Sequence, residues 1–290
     1  RSANGSRSAD RKFWRGKKME KDYLIAVDLE GIHGVVGEPY KSLYPDVPDY
    51  AIALENAVKE VNCATAALFE AGAGRVAVWD NHGTGKNLDF TKIDPRVIRV
   101  ENLPQPRYER FSFAKNFNFA GIILLGYHSK EGSFNGVLAH TYSAKTVQYI
   151  KIGGKTMGEA EIDAYIAGAM GIPVLFCASD DVCVKQVEET IPGIHTVVTK
   201  IGKGRNRAEF LDEEKVLADI HDKVLDSVRN PNKPVVLSYP CAIEMNYTRA
   251  ETAEAVLQKV KNYGQDAHYG ETTHILRSTL RDAKDLEAFI

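Results

Sequence analysis

No apolar run in this 290-residue chain approaches the roughly 20 residues a membrane-crossing helix needs. Neither sign of charge dominates: 37 lysines and arginines stand against 39 aspartates and glutamates, for a formal net charge of -2. That balance gives no electrostatic case for nucleic acid or an anionic membrane surface as a partner. Cysteine is scarce. Cys63, Cys177, Cys183 and Cys241 are the whole complement, and no two of them form a C-x-x-C pair. Two lie in or beside apolar runs, where a reduced cysteine behaves as a small hydrophobe. A reducing, cytoplasmic setting is therefore expected, although an even count leaves extracellular disulfides open. Residues 1–19 are polar, rich in Arg, Ser and Lys, and lack the apolar core of a signal peptide. They read as a disordered or added leader, with Met19 as the natural start.

What is present is an alternation of apolar strands and helices. Tyr23 to Val27, Arg75 to Trp79, Gly121 to Gly126 and Pro173 to Cys177 read as buried strands. Val97 to Val100 is a weaker candidate, and Thr196 to Thr199, Pro234 to Tyr239 and Glu271 to Leu276 are further ones. Helical spacing predicts helices over Asp49 to Ala71, Gly158 to Met170, Asp212 to Val228 and Arg249 to Val260, with another from Thr279. The pattern predicts an α/β fold in three layers with a largely parallel or mixed central sheet. A metal-binding α/β domain over 20–200 and a smaller C-terminal α/β domain over 201–290 are expected, divided at the basic stretch Lys200 to Arg207.

Three of the strands end in metal-ligating residues: Asp28-x-Glu30, Asp80-x-His82 and His128. Strand geometry points Asp28 and Glu30 the same way. Two carboxylates facing one space repel unless protons or a cation neutralise them. In open parallel sheets, sites form beyond the carboxyl ends of strands. Neighbouring strands would therefore bring Asp28, Glu30, His82 and His128 together. Glu159 opens a helix whose residues 159, 162, 163 and 166 share a face. Ile162 and Ile166 make that face apolar, so Glu159 needs a partner; its alternative role is to favour the positive helix end, with Glu161 on the solvent side. Five Asp, Glu and His ligands exceed one tetrahedral zinc but suit a carboxylate-bridged metal pair. Such a pair supports hydrolysis.

The ordered set Asp28-Leu29-Glu30-Gly31-Ile32, Asp80-Asn81-His82, Leu125-Gly126-Tyr127-His128, Val137-Leu138-Ala139-His140, Gly158-Glu159, Ala164 to Gly168, Pro173-Val174-Leu175 and Asp180-Asp181 resembles the D-aminopeptidases of the DppA type. The resemblance covers residues 23 to 185 in collinear order and thins beyond. It implies two zinc ions held by Asp28, Glu30, His82, His128 and Glu159. It implies His140 as the catalytic residue, described in the family as a nucleophile; an acid/base or oxyanion-stabilising role is chemically open too. It implies short peptide substrates and a ring-shaped homo-oligomer, a decamer in the family. Cleavage of a lactone or phosphoester on the same metal pair, and non-enzymatic peptide binding linked to dipeptide uptake, are the alternatives.

Other residues carry two readings each. Asp80 either orients His82 or caps the turn. His33 stands where the family carries a smaller polar residue, and adds a ligand, reaches substrate or faces solvent. Arg205, in Lys203 to Arg207, is a candidate for a peptide carboxylate or belongs to a solvated loop or subunit contact. Glu244 is a candidate for a substrate amino group or lies on the surface. The aromatic residues between 108 and 119 line an entrance or pack in the core.

Overall fold

The apolar run ahead of Asp28 forms β1 (Asp22–Val27), buried at every residue. In the computed structural model residues 20–103 and 109–290 are described; the expected leader, 1–19, lies outside the described residues. After β1 come α1 (Pro48–Glu70), β2 (Arg75–Asp80), β3 (Ile98–Val100), β4 (Phe119–Leu125), β5 (Val147–Ile152), β6 (Lys155–Met157) and α2 (Glu159–Ala169). Next are β7 (Val174–Asp180), α3 (Asp181–Thr190), β8 (His195–Gly204), β9 (Arg207–Phe210) and α4 (Glu213–Arg229). The chain closes with β10 (Cys241–Tyr247), α5 (Ala250–Asn262), β11 (Ala267–Tyr269), β12 (Ile275–Leu280) and α6 (Ala283–Glu287).

One sheet runs β3-β2-β1-β4-β7-β8-β9 and the other β11-β12-β10-β5-β6. The first is parallel except for β9, which returns antiparallel along β8. The second is antiparallel throughout. Continuous apolar runs such as Leu24 to Val27 suit a strand covered on both faces. Tyr23, Ile25 and Val27 pack with α1 and α4 on one side. Leu24 and Ala26 pack with α2 and the second sheet on the other. The three-layer α/β expectation holds.

The central position of β1 decides where the site forms. It pairs with β2 on one side and β4 on the other, in parallel register, with Val27 opposite both Asp80 and Leu125. Gly31 and Gly126 let the ends of β1 and β4 touch. A Cβ on Gly31 would overlap the Tyr127 carbonyl, and one on Gly126, at φ +70°, would overlap the Asp28 carbonyl.

The C-terminal part departs from expectation. The division expected at 200/201 falls inside β8. The helix α4 packs on α1 in the first sheet's layer, while the second sheet draws β5 and β6 from before residue 200. No strand forms over Pro234 to Tyr239; the flanking Pro234 and Pro240 lack N–H groups, and Val235 lies instead against Gly168 of α2. The strand is β10, just beyond. The last strand, expected over Glu271 to Leu276, is β12. Of the aromatic residues near 108–119, Phe111 and Phe113 pack around Trp79 at 5.2 and 5.7 Å between ring centroids. They are core; Tyr108 lies outside the described residues.

Candidate metal centre

At the carboxyl ends of β1, β2 and β4 the structure brings together two groups of ligating atoms. One comprises Asp28, Glu30 and His82, the other His128, His140 and Glu159, and within each the atoms lie within 4.8 Å of one another. The Asp28 carboxylate touches both. Its Oδ1 is 2.9 Å from His82 Nδ1, and its Oδ2 is 3.6 Å from His128 Nε2. Glu30 Oε2 lies 3.1 Å from the same His82 nitrogen. Glu159 Oε1 lies 3.1 Å from His128 Nε2 and 3.8 Å from His140 Nε2.

Each histidine spends one ring nitrogen on a backbone carbonyl. His82 Nε2–H donates to Leu43 O at 2.8 Å, His128 Nδ1–H to Ser129 O at 3.1 Å, and His140 Nδ1–H to Leu138 O at 2.9 Å. That pattern assigns the tautomer and aims the remaining nitrogen of each ring at the carboxylates, as it does for metal-bound histidine. The imidazoles of His128 and His140 stack at 3.9 Å with 11° between planes. His128 Nε2 is buried without a hydrogen-bond partner. A buried ring nitrogen without a hydrogen bond, facing the Asp28 and Glu159 carboxylates, fits a cation, and the donor set of carboxylate oxygens and imidazole nitrogens suits zinc.

The electrostatics agree. Burial raises the Asp28 pKa and the neighbouring Glu30 raises it further, to about 7 against the pull of His82. Burial likewise opposes ionisation of Glu30, but His82 outweighs it and holds Glu30 well below the ordinary range. Burial would discharge His82 and His128; Glu30 and Asp28 push the first up to about 12, and Glu159 and Asp28 push the second up to about 10. Glu159, in spite of burial, is drawn down to about 2 by His128 and His140. Burial and then the His128 charge lower His140 below its ordinary value. Without metal, protons on His82 and His128 compensate the carboxylates.

Side chains expected near the site resolve as follows. Asp80 caps the turn: it accepts from the backbone N–H of Asn87 at 2.6 Å and of Leu88 at 2.9 Å, not from the His82 ring. His33 points away, its Nε2–H donating to Leu211 O at 2.8 Å and its ring tilting against Phe210; it is not in the cavity, because Glu60 and Asn56 hold its backbone toward α1. Arg205 lies on an exposed turn, and its guanidinium is turned onto the chain rather than toward the ligand groups. The β8–β9 turn folds back so that its guanidinium donates to Ala139 O, and its carbonyl accepts from Leu138 N at 2.7 Å. It thereby holds the segment that carries His140. Glu244 belongs to the second sheet and is bonded to Tyr149, Lys151 and Arg277, away from the centre. Glu161 is buried and accepts from Gly158 N at 3.1 Å, capping α2 rather than facing solvent.

Two supports carry weaker sequence signals. Lys200 is fully buried, and its ammonium donates to the carbonyls of Glu30, Ile32 and Val35 at 2.6, 2.8 and 2.8 Å. Asp163 accepts from Tyr127 OH and Arg110 Nη2, each at 2.7 Å. It ties α2, which carries Glu159, to the residue before His128. Its place on the apolar face of α2, four residues from Glu159, was the available signal.

The fold and centre define a class: an α/β protein with a candidate hydrolytic metal site at the strand ends of a parallel sheet. The family follows from comparison with known proteins. The sequence profile of peptidase family M55, described as D-aminopeptidase, matches residues 22–268, and the chain belongs to that family. A D-aminopeptidase from Bacillus subtilis (strain 168) is 29% identical over 236 residues, spanning 79% of this chain and 83% of the relative. Among solved structures, the Zn-dependent D-aminopeptidase DppA from Bacillus subtilis, a self-compartmentalizing protease, superposes with a TM-score of 0.79 at 24% identity, covering 92% of this chain and 94% of the other.

Proposed function

We propose that this chain is a zinc-dependent aminopeptidase that hydrolyses short peptides or aminoacyl amides, including D-amino-acid-containing ones, on a two-metal centre. The observation that carries the reading is the Asp28 carboxylate reaching both ligand groups within one cavity of about 490 Å³. Asp28, Glu30 and His82 would hold one ion, and His128 and Glu159 the other, with Asp28 between them. Bound there, zinc supplies Lewis acidity toward a carbonyl and a water.

The chain's own residues supply the proton chemistry. His140 is neutral by burial and by the positive charge beside it, and its Nδ1–H is committed to Leu138 O. Its Nε2 lone pair therefore faces the cavity and can take a proton from the attacking water, then return it to the leaving amine. Glu159 is fixed for ligation by Tyr142 N–H at 2.7 Å and by its place at the start of α2, where the helix favours negative charge. Trp79 and the Asp163-paired Arg110 line one wall of the cavity, the guanidinium 4.9 Å from the indole centroid.

His140→Gln is expected to lower kcat for an aminoacyl amide by about 10²–10⁴-fold while zinc content, measured by atomic emission, is unchanged. Loss of zinc in the variant would make His140 a ligand instead. On a panel of amide, lactone and phosphate ester, wild-type protein should turn over the amide; turnover confined to another substrate, or none at all, would overturn the aminopeptidase assignment.

Self-association into a ring-shaped homo-oligomer, a decamer, is part of the same proposal and is supported by the self-compartmentalizing relative. Light scattering should give a mass several times the 32.1 kDa of one chain, and a monomeric mass would refute it. No helix among the described residues is long and apolar enough to cross a membrane. The four free cysteines support a reducing, cytoplasmic setting.

A further inference from the structure

The cavity over the metal centre carries unlike charge at its two ends. Its buried end is formed by Asp28, Glu30 and Glu159. At its exposed rim, Tyr44 from the loop after β1 and Lys145 from the loop before β5 lie on the same cavity, with the Lys145 Nζ 5.7 Å from the Tyr44 ring centroid. The Lys145 backbone is anchored: its carbonyl accepts from Thr248 Oγ1 at 2.8 Å, just past β10. Two lysine or arginine side chains line this cavity among the described residues, Lys145 and Arg110. Arg110 is held by Asp163. The one acid at the rim, Glu101, is 2.6 Å from Arg99.

We infer that Lys145 binds the terminal carboxylate of a short peptide whose amino-terminal amide bond lies at the metal centre. This rests on the aminopeptidase reading and sharpens it: the substrate class becomes peptides short enough to present a free carboxylate at the rim. An ammonium over an aromatic ring keeps its donors available on the other side. A carboxylate arriving there gains a charge-assisted hydrogen bond, stronger than a neutral one. Successive residues of an extended chain advance about 3.5 Å each, so a peptide longer than the span from the metal centre to the rim carries its carboxylate beyond Lys145.

The test compares alanyl-alanine, in L and D forms, with the same dipeptides amidated at the carboxyl end. Affinities are read by calorimetry on zinc-loaded, full-length protein carrying His140→Gln, so that binding is seen without turnover. The free acid should bind on the order of tenfold more tightly than the amide. Adding Lys145→Gln should bring that ratio to near one, and Lys145→Arg should keep most of it. A ratio that Lys145→Gln leaves unmoved, or one near unity before the change, overturns the assignment. Failure of the aminopeptidase reading shows separately, as absence of turnover of both dipeptides by the wild type; the binding ratio still decides the role of Lys145.

Discussion

Replacing Asp28 with asparagine should lower kcat/KM for an aminoacyl amide by about 10³-fold or more and reduce the zinc held per chain. Asp28 is the one carboxylate whose two oxygens face different histidines, His82 and His128. An amide in its place removes a negative charge and turns an N–H₂ toward one of those ring nitrogens, where a ligand oxygen is needed. The fold should survive. Burial and Glu30 raise the Asp28 pKa to about 7, so in metal-free protein the neutral carboxyl is far easier to reach than for an ordinary aspartate. Asparagine imitates that neutral form. Metal-free Asp28→Asn should therefore melt close to the metal-free wild type, while zinc stabilises it much less. A variant that keeps full zinc and full activity would remove Asp28 from the centre.

Lys200→Met is the second large effect, and it acts on folding. The ammonium of Lys200 satisfies three carbonyls in the turn that follows β1. Methionine fills similar volume but donates nothing, so three buried acceptors lose their partner in a place water does not reach. The cost should be about 3–5 kcal/mol, seen as a fall in melting temperature of about 10 °C. Because the first of those carbonyls belongs to Glu30, zinc affinity should fall as well. Lys200→Arg does not fit the same three acceptors and should be nearly as damaging. Thermal unfolding of the metal-free proteins checks this, and an unchanged melting temperature would show that the turn stands without its lysine.

The proposed metal ligands were legible because their signal is local. Strands that are apolar from end to end and then break into Asp, Glu or His announce a strand-end site, and β1, β2 and β4 prove to be neighbours in the sheet. Glu159 was legible for a similar reason, as an acid beside the apolar stripe of a helix. Lys200, Arg205 and Glu244 were not, because what each does depends on residues far along the chain. Lys200 and Arg205 sit in a basic run that reads as solvated, yet β8 carries the first into the core against residues 30–35 and the β8–β9 turn carries the second onto Ala139. Glu244 follows a strand that the prolines prevent, and the strand that does form belongs to an antiparallel sheet whose pairing no local pattern specifies. Asp163 shows the intermediate case. Its position beside Glu159 was visible, but its partners Arg110 and Tyr127 come from other elements.

The most direct test of a two-metal centre is a calorimetric titration of metal-free protein with zinc near pH 8, repeated in buffers of different ionisation enthalpy. Two ions per chain should bind, with activity toward an aminoacyl amide appearing as they do. With the His82 pKa at about 12 and that of His128 at about 10 before metal arrives, both rings carry a proton that zinc must displace. About two protons should therefore be released per chain, and apparent affinity should rise with pH below those values. Binding of one ion per chain or none, or full amide hydrolysis in the presence of a chelator that strips zinc, would contradict the account.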